Sequence, residues 1–253
     1  MSASFIIKFH TERLDNLKQM LRFMDLWHKD VIENSELITL CQNKLTDPLP
    51  TKHWKSHLNF NFGFEEMSIC CITNFGITKA KYEKIFILDS DRILPTEYFN
   101  SVMNQLKFGI QITTSPTKKL KSEYSDSKII DGDIDFFWDN RSTTNELGTK
   151  NAWSGNIALM KSDFINAGGM DELYVGYGWE DTDMTFTMEK YGIKSIYREE
   201  TEIHLWHPPL TYGVKDQKKL FIENGLRLCK KWNKPLPQIL RQDMLKYRNE
   251  EIL

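Results

Sequence analysis

Two acidic residues stand one apart at the end of an apolar run, in the sequence Asp89-Ser90-Asp91. Carboxylates at this spacing can hold a divalent cation such as Mn²⁺ or Mg²⁺ from one side and leave its other positions open for phosphate oxygens. Two acids at a strand end can also simply begin a turn. The apolar residues 85–88 before the pair, and the helix start at Pro95-Thr96 after it, favour a metal site without deciding it.

Two histidines, His204 and His207, lie three residues apart far downstream of the acidic pair. Imidazole nitrogens are common ligands for ions of the Mn²⁺ class. A single histidine is more often a hydrogen-bonded core or surface residue. For His207, which stands directly before Pro208-Pro209, we favour metal binding. For His204 we favour the hydrogen-bonded alternative.

A third segment, Gly-Tyr-Gly-Trp-Glu-Asp-Thr-Asp, spans residues 176–183. Its glycines allow the backbone to approach a substrate closely, and Tyr177 and Trp179 offer flat faces that suit sugar rings. Glu180 and Asp181 follow at the start of a predicted helix, where clustered carboxylates raise one another's pKa and suit a general base. Acidic residues also cap helix starts, and we favour that role for Asp183.

Short strands and amphipathic helices alternate along the first half of the chain. Strands are predicted at residues 5–7, 36–40, 85–88 and 109–114, and helices at residues 13–29, at 66–79 and from Pro95 onwards. This alternation predicts an α/β fold with a mostly parallel central sheet flanked by helices. Ligands bind such sheets at the carboxyl ends of the strands, where residues 89–91 fall. The polar residues 118–151 are predicted to form a long loop, and residues 213–253 a helical tail.

The composition is that of an ordinary globular protein, with 40% hydrophobic and 27% charged residues and a formal charge of −2. It lacks the basic character that nucleic-acid binding requires, so we expect no nucleic-acid partner. No run approaches the roughly 20 apolar residues of a membrane span, and the N-terminus lacks a secretory pattern, so we expect a cytoplasmic protein. The four cysteines show no CxxC spacing and are expected to be reduced, buried thiols.

Together these segments resemble glycosyltransferases of the GT-A fold, above all the β-1,4-galactosyltransferase and chondroitin-polymerase-like group. Residues 153–183, WSGNIALMKSDFINAGGMDELYVGYGWEDTD, are similar throughout to the acceptor and catalytic segment of that group. The resemblance covers roughly residues 5–212. It implies a GT-A, Rossmann-like domain over residues 1–212 and a C-terminal helical extension over residues 213–253.

The resemblance also implies roles for individual residues. Asp91 and His207 would bind Mn²⁺ (or Mg²⁺), with His204 as a further ligand. Asp181 would be the general base, and Glu180 would orient the acceptor or the sugar. The remaining assignments concern substrate binding: Arg13, Asn74, Asp89, Ser90 and Gly155 for the donor, and Tyr177, Trp179 and Asp181 for the acceptor.

The implied activity is an inverting transfer of a hexose or N-acetylhexosamine from a UDP-sugar to a hydroxyl of a glycan acceptor. Three positions depart from the family pattern. Trp179 and Ser154 each replace a glycine, and the small Ala152 would leave room for a 2-acetamido group on the donor sugar.

Two other classes of function were weighed. A nucleotidyltransferase that makes nucleotide sugars would need a glycine-rich phosphate loop near the N-terminus, and residues 9–13 contain no glycine. A non-catalytic sugar-binding module would not need the acidic pair, the distant histidines and the Glu-Asp pair together.

Overall fold

The computed structural model of the chain describes residues 1–63, 68–94, 97–114, 117–120, 141–146, 156–176, 178–198, 202–205, 207, 217–238, 240, 241 and 244. Over these residues it confirms the predicted α/β fold. None of the described helices is long and apolar enough to cross a bilayer. All four cysteines are free thiols, as expected, and Cys71 alone of them is not buried.

The central sheet contains seven described strands, and four of its six pairings are parallel. Its strands in chain order are β1 (Ser4–Phe9), β2 (Glu36–Cys41), β3 (Ser56–Asn61), β4 (Lys84–Asp89), β6 (Ile110–Thr114), β9 (Ile157–Met160) and β10 (Lys194–Arg198). In space they run β10-β6-β9-β4-β1-β2-β3, and β9 is antiparallel to both of its neighbours. The sequence predicted β1, β2, β4 and β6 closely and missed the exposed edge strand β3.

Helices cover both faces of this sheet. They are α1 (Leu14–Trp27), α2 (Lys29–Ile32), α3 (Ile69–Lys79), α4 (Tyr98–Gln105), α5 (Lys161–Asn166), α6 (Glu180–Lys190) and α7 (Gln217–Trp232). Residues of α1, α2 and α4 share one apolar core with one face of the sheet. Residues of α3, α5 and α6 share a second core with the opposite face. The predicted helix starts at Glu66 and at Pro95-Thr96 lie outside the described residues.

Strand β1 shows how the sequence divides between the two cores. Successive side chains of a strand point to opposite faces of its sheet. Phe5, Ile7 and Phe9 accordingly lie in the core of α1, α2 and α4. Ile6 lies in the core of α3, α5 and α6, and Lys8 follows Ile6 on that same face at the carboxyl end of the strand.

A second, smaller sheet lies beyond the end of β4. Its described strands are β5 (Arg92–Ile93), β7 (Thr117–Leu120), β8 (Arg141–Glu146) and β11 (Glu202–His204), in the spatial order β5-β11-β7-β8. The prediction of one long loop over residues 118–151 was therefore wrong at both ends, because β7 and β8 form strands there. Apolar alternation does not mark these strands: β8 reads Arg-Ser-Thr-Thr-Asn-Glu, and backbone pairing defines it.

Candidate metal centre and active site

Pairing between the two short strands β5 and β11 brings the acidic pair to the histidines. His204 on β11 stands opposite Arg92 on β5. The backbone N–H of Leu205 donates to the carbonyl oxygen of Asp91 at 2.8 Å. Residues more than a hundred positions apart in the sequence are thereby fixed side by side.

Asp91, His204 and His207 present one ligand atom each to a common point. Asp91 Oδ2 lies 3.3 Å from His204 Nε2 and 3.0 Å from His207 Nε2. The two Nε2 atoms are 3.0 Å apart. Neighbouring ligands of an octahedral ion with bonds of about 2.0–2.2 Å lie about 3 Å apart. The triangle therefore fits one face of an octahedral cation and leaves the opposite face for other ligands.

The protonation states of Asp91 and His204 also suit a metal. Burial opposes ionisation of Asp91, but the hydrogen bonds from His204 and His207 outweigh it and hold the pKa of Asp91 below its usual range. Burial lowers the pKa of His204, which favours the neutral imidazole. An ionised carboxylate and neutral imidazoles are the forms that bind cations.

A buried polar network contacts the cluster of Asp91, His204 and His207. Arg92 lies between three carboxylates: Nη1 is 3.0 Å from Glu202 Oε1, Nε is 3.4 Å from Asp91 Oδ1, and Nη2 is 3.7 Å from Asp89 Oδ2. Glu202 is fully buried and also accepts from Asn156 Nδ2 at 2.5 Å. Asn156 Oδ1 in turn accepts from the backbone N–H of Asp89 at 3.1 Å. The network fixes the backbone that carries the acidic pair.

Asp89 does not share the triangle of Asp91. Its carboxylate lies 3.1 Å from the ammonium group of Lys8 at the end of the neighbouring strand β1. Ser90 between the two acids is buried. The acidic pair is therefore divided, with Asp91 facing the histidines and Asp89 facing Lys8.

Glu180 and Asp181 open helix α6, and both lie within electrostatic range of Lys8. Burial first, and the neighbouring Asp181 second, raise the pKa of Glu180 to about 8. Burial also raises the pKa of Asp181, while the charge of Lys8 opposes that rise. Adjacent carboxyl groups with raised pKa values suit proton transfer and hydrogen-bond donation.

Arg13 ends the short 3-10 turn Thr11–Arg13 that follows β1. Its side chain is buried, and Nη1 has no hydrogen-bond partner among the described residues. Its guanidinium lies within electrostatic range of Asp91. A buried, unsatisfied guanidinium nitrogen beside a cation site is suited to an anionic ligand.

Asn74 lies away from this cluster, on α3. Its side-chain amide donates to the carbonyl oxygen of Met170 and to Glu172, and its oxygen accepts from the N–H of Met170. Its described hydrogen bonds therefore fix the turn around Met170 and Glu172, ahead of α6.

Trp179 caps α6 with a left-handed backbone, at φ 74°. Its ring packs against Phe221 of α7, with the centroids 5.2 Å apart. Gly155 and Tyr177 lie outside the described residues, as do Ala152, Ser154 and Pro208.

Sequence reasoning missed Lys8, Arg92, Asn156 and Glu202. A signal existed for Glu202, because it stands two residues before His204 on a strand and so shares its side of the sheet. Lys8 carried a signal too, as the one charged residue within the apolar run of residues 5–9.

Residues 139–205 match the family described as the N-terminal domain of galactosyltransferase. This segment contains Glu180, Asp181, Glu202 and His204. No curated protein sequence matches the chain.

Three solved structures illustrate the likeness in fold. The catalytic domain of Drosophila β1,4-galactosyltransferase 7, in complex with xylobiose, aligns with TM-score 0.56 and 14% identity over 86% of this chain and 78% of its own. GalNAc-T7 with UDP, GalNAc and Mn²⁺ aligns with TM-score 0.63 and 14% identity over 92% and 48%. A mannosyltransferase from Pyrobaculum calidifontis, with GDP-Man and Mn²⁺, aligns with TM-score 0.58 and 12% identity over 92% and 65%.

At such identities the three structures establish a common fold, and the matched segment adds the sequence likeness. The chain therefore has the GT-A fold of these structures, and residues 139–205 are similar in sequence to the galactosyltransferase family.

Proposed function

We propose that the protein transfers a hexose or N-acetylhexosamine from a UDP-sugar to a hydroxyl of a glycan acceptor, with a divalent cation and with inversion at the anomeric carbon. The observation that carries this proposal is the triangle of Asp91, His204 and His207 beside Asp89 and the Glu180–Asp181 pair. Structural relatives with Mn²⁺, UDP or a glycan in their complexes support the choice of substrates.

In the proposed reaction, the acceptor hydroxyl oxygen attacks the anomeric carbon while the bond from that carbon to the diphosphate oxygen breaks. Asp181 takes the hydroxyl proton, and the electron pair of the broken bond leaves with UDP. A single displacement of this kind inverts the configuration. Glu180, which holds its proton up to about pH 8, donates a hydrogen bond to the acceptor or the sugar.

Mn²⁺ or Mg²⁺ would be held by Asp91, His204 and His207, and would neutralise the charge that develops on the departing diphosphate. Arg13 adds a positive charge from the turn that follows β1, and its buried nitrogen would donate to a phosphate oxygen. Asp89 would accept hydrogen bonds from hydroxyls of the donor, with Ser90 as a small spacer.

The remaining assignments stay proposals. Gly155 would let the backbone approach the donor, Asn74 would support the donor side through the turn that it holds, and Tyr177 and Trp179 would contact the acceptor sugar. We also propose a transferase domain at residues 1–212, an extension at residues 213–253 and a cytoplasmic location.

A screen of donor hydrolysis tests the proposal. Purified protein is incubated with Mn²⁺ and a panel of UDP-hexoses and UDP-N-acetylhexosamines, and released UDP is measured. We expect release from at least one donor and loss of that release in EDTA. Asp181→Asn should lower transfer by about 10²–10⁴-fold, the usual contribution of a positioned base.

Calorimetry with UDP provides the control for the metal site. UDP affinity should depend on Mn²⁺ in the unaltered protein and lose that dependence in His207→Ala. His53→Ala is the matched control, because His53 also faces an aspartate, Asp25, at 3.5 Å but on a different part of the surface. Metal-independent UDP binding, or no donor turnover at all, would contradict the proposal.

A further inference from the structure

Lys8 occupies an unusual place for a lysine, at the centre of the main sheet. Strand β1 is paired on both sides, with β2 and with β4, and the Lys8 side chain is only 6% exposed. A buried ammonium group is costly unless opposite charges and hydrogen bonds surround it. The charged residues around Lys8 therefore indicate its role.

Strand register places Lys8 directly beside Asp89. The two residues are paired across β1 and β4 and lie on the same face of the sheet as Ile6 and Ile87. Lys8 Nζ is 3.1 Å from Asp89 Oδ1, while Arg92 Nη2 is 3.7 Å from Asp89 Oδ2. The Asp89 carboxylate thus has a cation on each oxygen, and its orientation is determined on both sides.

The start of helix α6 supplies the other negative charges that face Lys8. Burial alone would lower the pKa of Lys8, but Asp89, Asp181 and Glu180 together raise it well above its ordinary value. Cys70 of α3 also lies within electrostatic range of this cluster, and burial raises the pKa of its thiol so that it stays neutral. Lys8 is therefore a permanent cation among three carboxyl groups.

We propose that Lys8 is a positioning residue of the transfer reaction, whose ammonium group orients Asp89 and supplies a positive charge beside Glu180 and Asp181. The inference rests on the proposed function for its catalytic meaning. Lys8 lies at the end of β1 and acts through the carboxyl groups of Asp89, Glu180 and Asp181. Asp89, which would bind the donor, and Asp181, the proposed base, thereby share one cation.

Carboxyl-carbon NMR tests this without requiring turnover. The signals of Glu180 and Asp181 are titrated in metal-free protein for Lys8→Met, Lys8→Arg and the unaltered chain. Lys8→Met removes the charge at similar length, so the midpoints of both carboxyl groups should rise by about one to three pH units. Lys8→Arg should retain the original midpoints within a few tenths of a unit.

Lys84→Met is the matched control. Lys84 lies at the other end of β4, is partly buried, and donates to the carbonyl oxygen of Met103 instead of to carboxylates. Its replacement should leave the Glu180 and Asp181 midpoints unchanged. If Lys8→Met and Lys84→Met leave the same midpoints, Lys8 has only a structural role and the inference is overturned.

Two further measurements guard against other outcomes. If Lys8→Met fails to fold, the ¹⁵Nζ signal of Lys8 in the unaltered protein should still move with the Glu180 titration near pH 8. A signal that stays constant through that titration overturns the inference.

Where donor turnover is found, the acidic limb of the rate against pH should shift upward in Lys8→Met. Absence of turnover would count against the proposed function alone, because the NMR titration stands without it.

Discussion

At the scale of single residues, burial raises the pKa of two neighbouring carboxyl groups in the site. Glu180 keeps its proton up to about pH 8, because burial and Asp181 disfavour its charge. The pKa of Asp181 is also raised by burial, and the charge of Lys8 opposes that rise. Sequence spacing alone predicted that both acids matter. It did not reveal Lys8, whose importance depends on the register of β1 against β4.

The protonation of Glu180 predicts how activity depends on pH. As the pH rises through about 8, Glu180 ionises, loses its ability to donate a hydrogen bond, and adds a negative charge beside Asp181. We expect kcat/KM of the unaltered protein to fall above about pH 8. Glu180→Gln mimics the protonated form, so it should keep most of the activity at pH 7 and lose the alkaline decline. Identical alkaline limbs in the two proteins would argue against this role.

At the scale of residues, chemical type indicates which side chains could bind a metal, whereas their surroundings decide which of them come together. Asp91 and His207 were predicted as ligands from their types and the family resemblance, and the structure places them 3.0 Å apart. His204 was disfavoured from spacing alone, yet it completes the triangle. Its position depends on the pairing of β11 with β5, which no local pattern encodes.

At the scale of elements, helix α7 contacts both the residues before α6 and α6 itself. Asn224 donates to the carbonyl oxygens of Val175 and Gly178 at 2.9 and 3.3 Å. Further along, Lys231 and Trp232 bond to the buried carboxylate of Asp183 in α6. The predicted tail therefore contacts both the loop before the Glu180–Asp181 pair and the helix after it. The sequence favours a helix-capping role for Asp183, but its described hydrogen bonds instead make it an anchor for α7.

Trp179 stands at the start of α6, where α7 contacts it, and replaces a glycine of the galactosyltransferase pattern. Its left-handed backbone, at φ 74°, costs a non-glycine residue about 1–2 kcal/mol. Packing of its ring against Phe221 offsets that cost. Gly178 beside it fits closely under Phe221, since an added Cβ would lie 2.5 Å from the Phe221 ring.

This arrangement predicts that Trp179 and Phe221 act together. Trp179→Gly and Phe221→Ala should each lower kcat by about ten- to hundredfold, because both loosen the start of α6 by an ångström or so. Phe221→Ala should leave the acceptor KM nearly unchanged, whereas Trp179→Gly should raise it, because the proposed function places the Trp179 ring against the acceptor sugar. An unchanged acceptor KM in Trp179→Gly would contradict that contact and leave the ring a structural role alone. Leu226→Ala, an exposed apolar residue on the same helix, is the control and should behave as the unaltered protein.

The elements themselves were predictable to the extent that their patterns are local. Strands β1, β2, β4 and β6 and helix α1 follow from apolar runs and helical spacing. The antiparallel insertion of β9 between β4 and β6 does not, because pairing partners distant in sequence decide it. The edge strand β3 alternates too weakly between buried and exposed residues to be recognised.

At the scale of the whole molecule, the metal site joins the two sheets. Asp91 follows the last strand residue of β4 in the main sheet, whereas His204 belongs to β11 of the smaller sheet and His207 lies just beyond it. A cation bound by all three would add a further link between these parts of the chain. Binding to the folded chain alone stabilises it by about 2.7 kcal/mol at a hundredfold excess over Kd.

We therefore expect Mn²⁺ to raise the melting temperature, by about 5–10 °C at such an excess for a chain of this size. His207→Ala should abolish most of the rise, and His53→Ala should retain it. Because the pKa of His204 lies below its usual 6.5, the rise should persist at pH 6.5 and disappear as further acidification protonates His204. Differential scanning calorimetry at several pH values checks both points. An equal rise in His207→Ala would place the cation elsewhere on the molecule, and a rise that survives protonation of His204 would exclude His204 as a ligand.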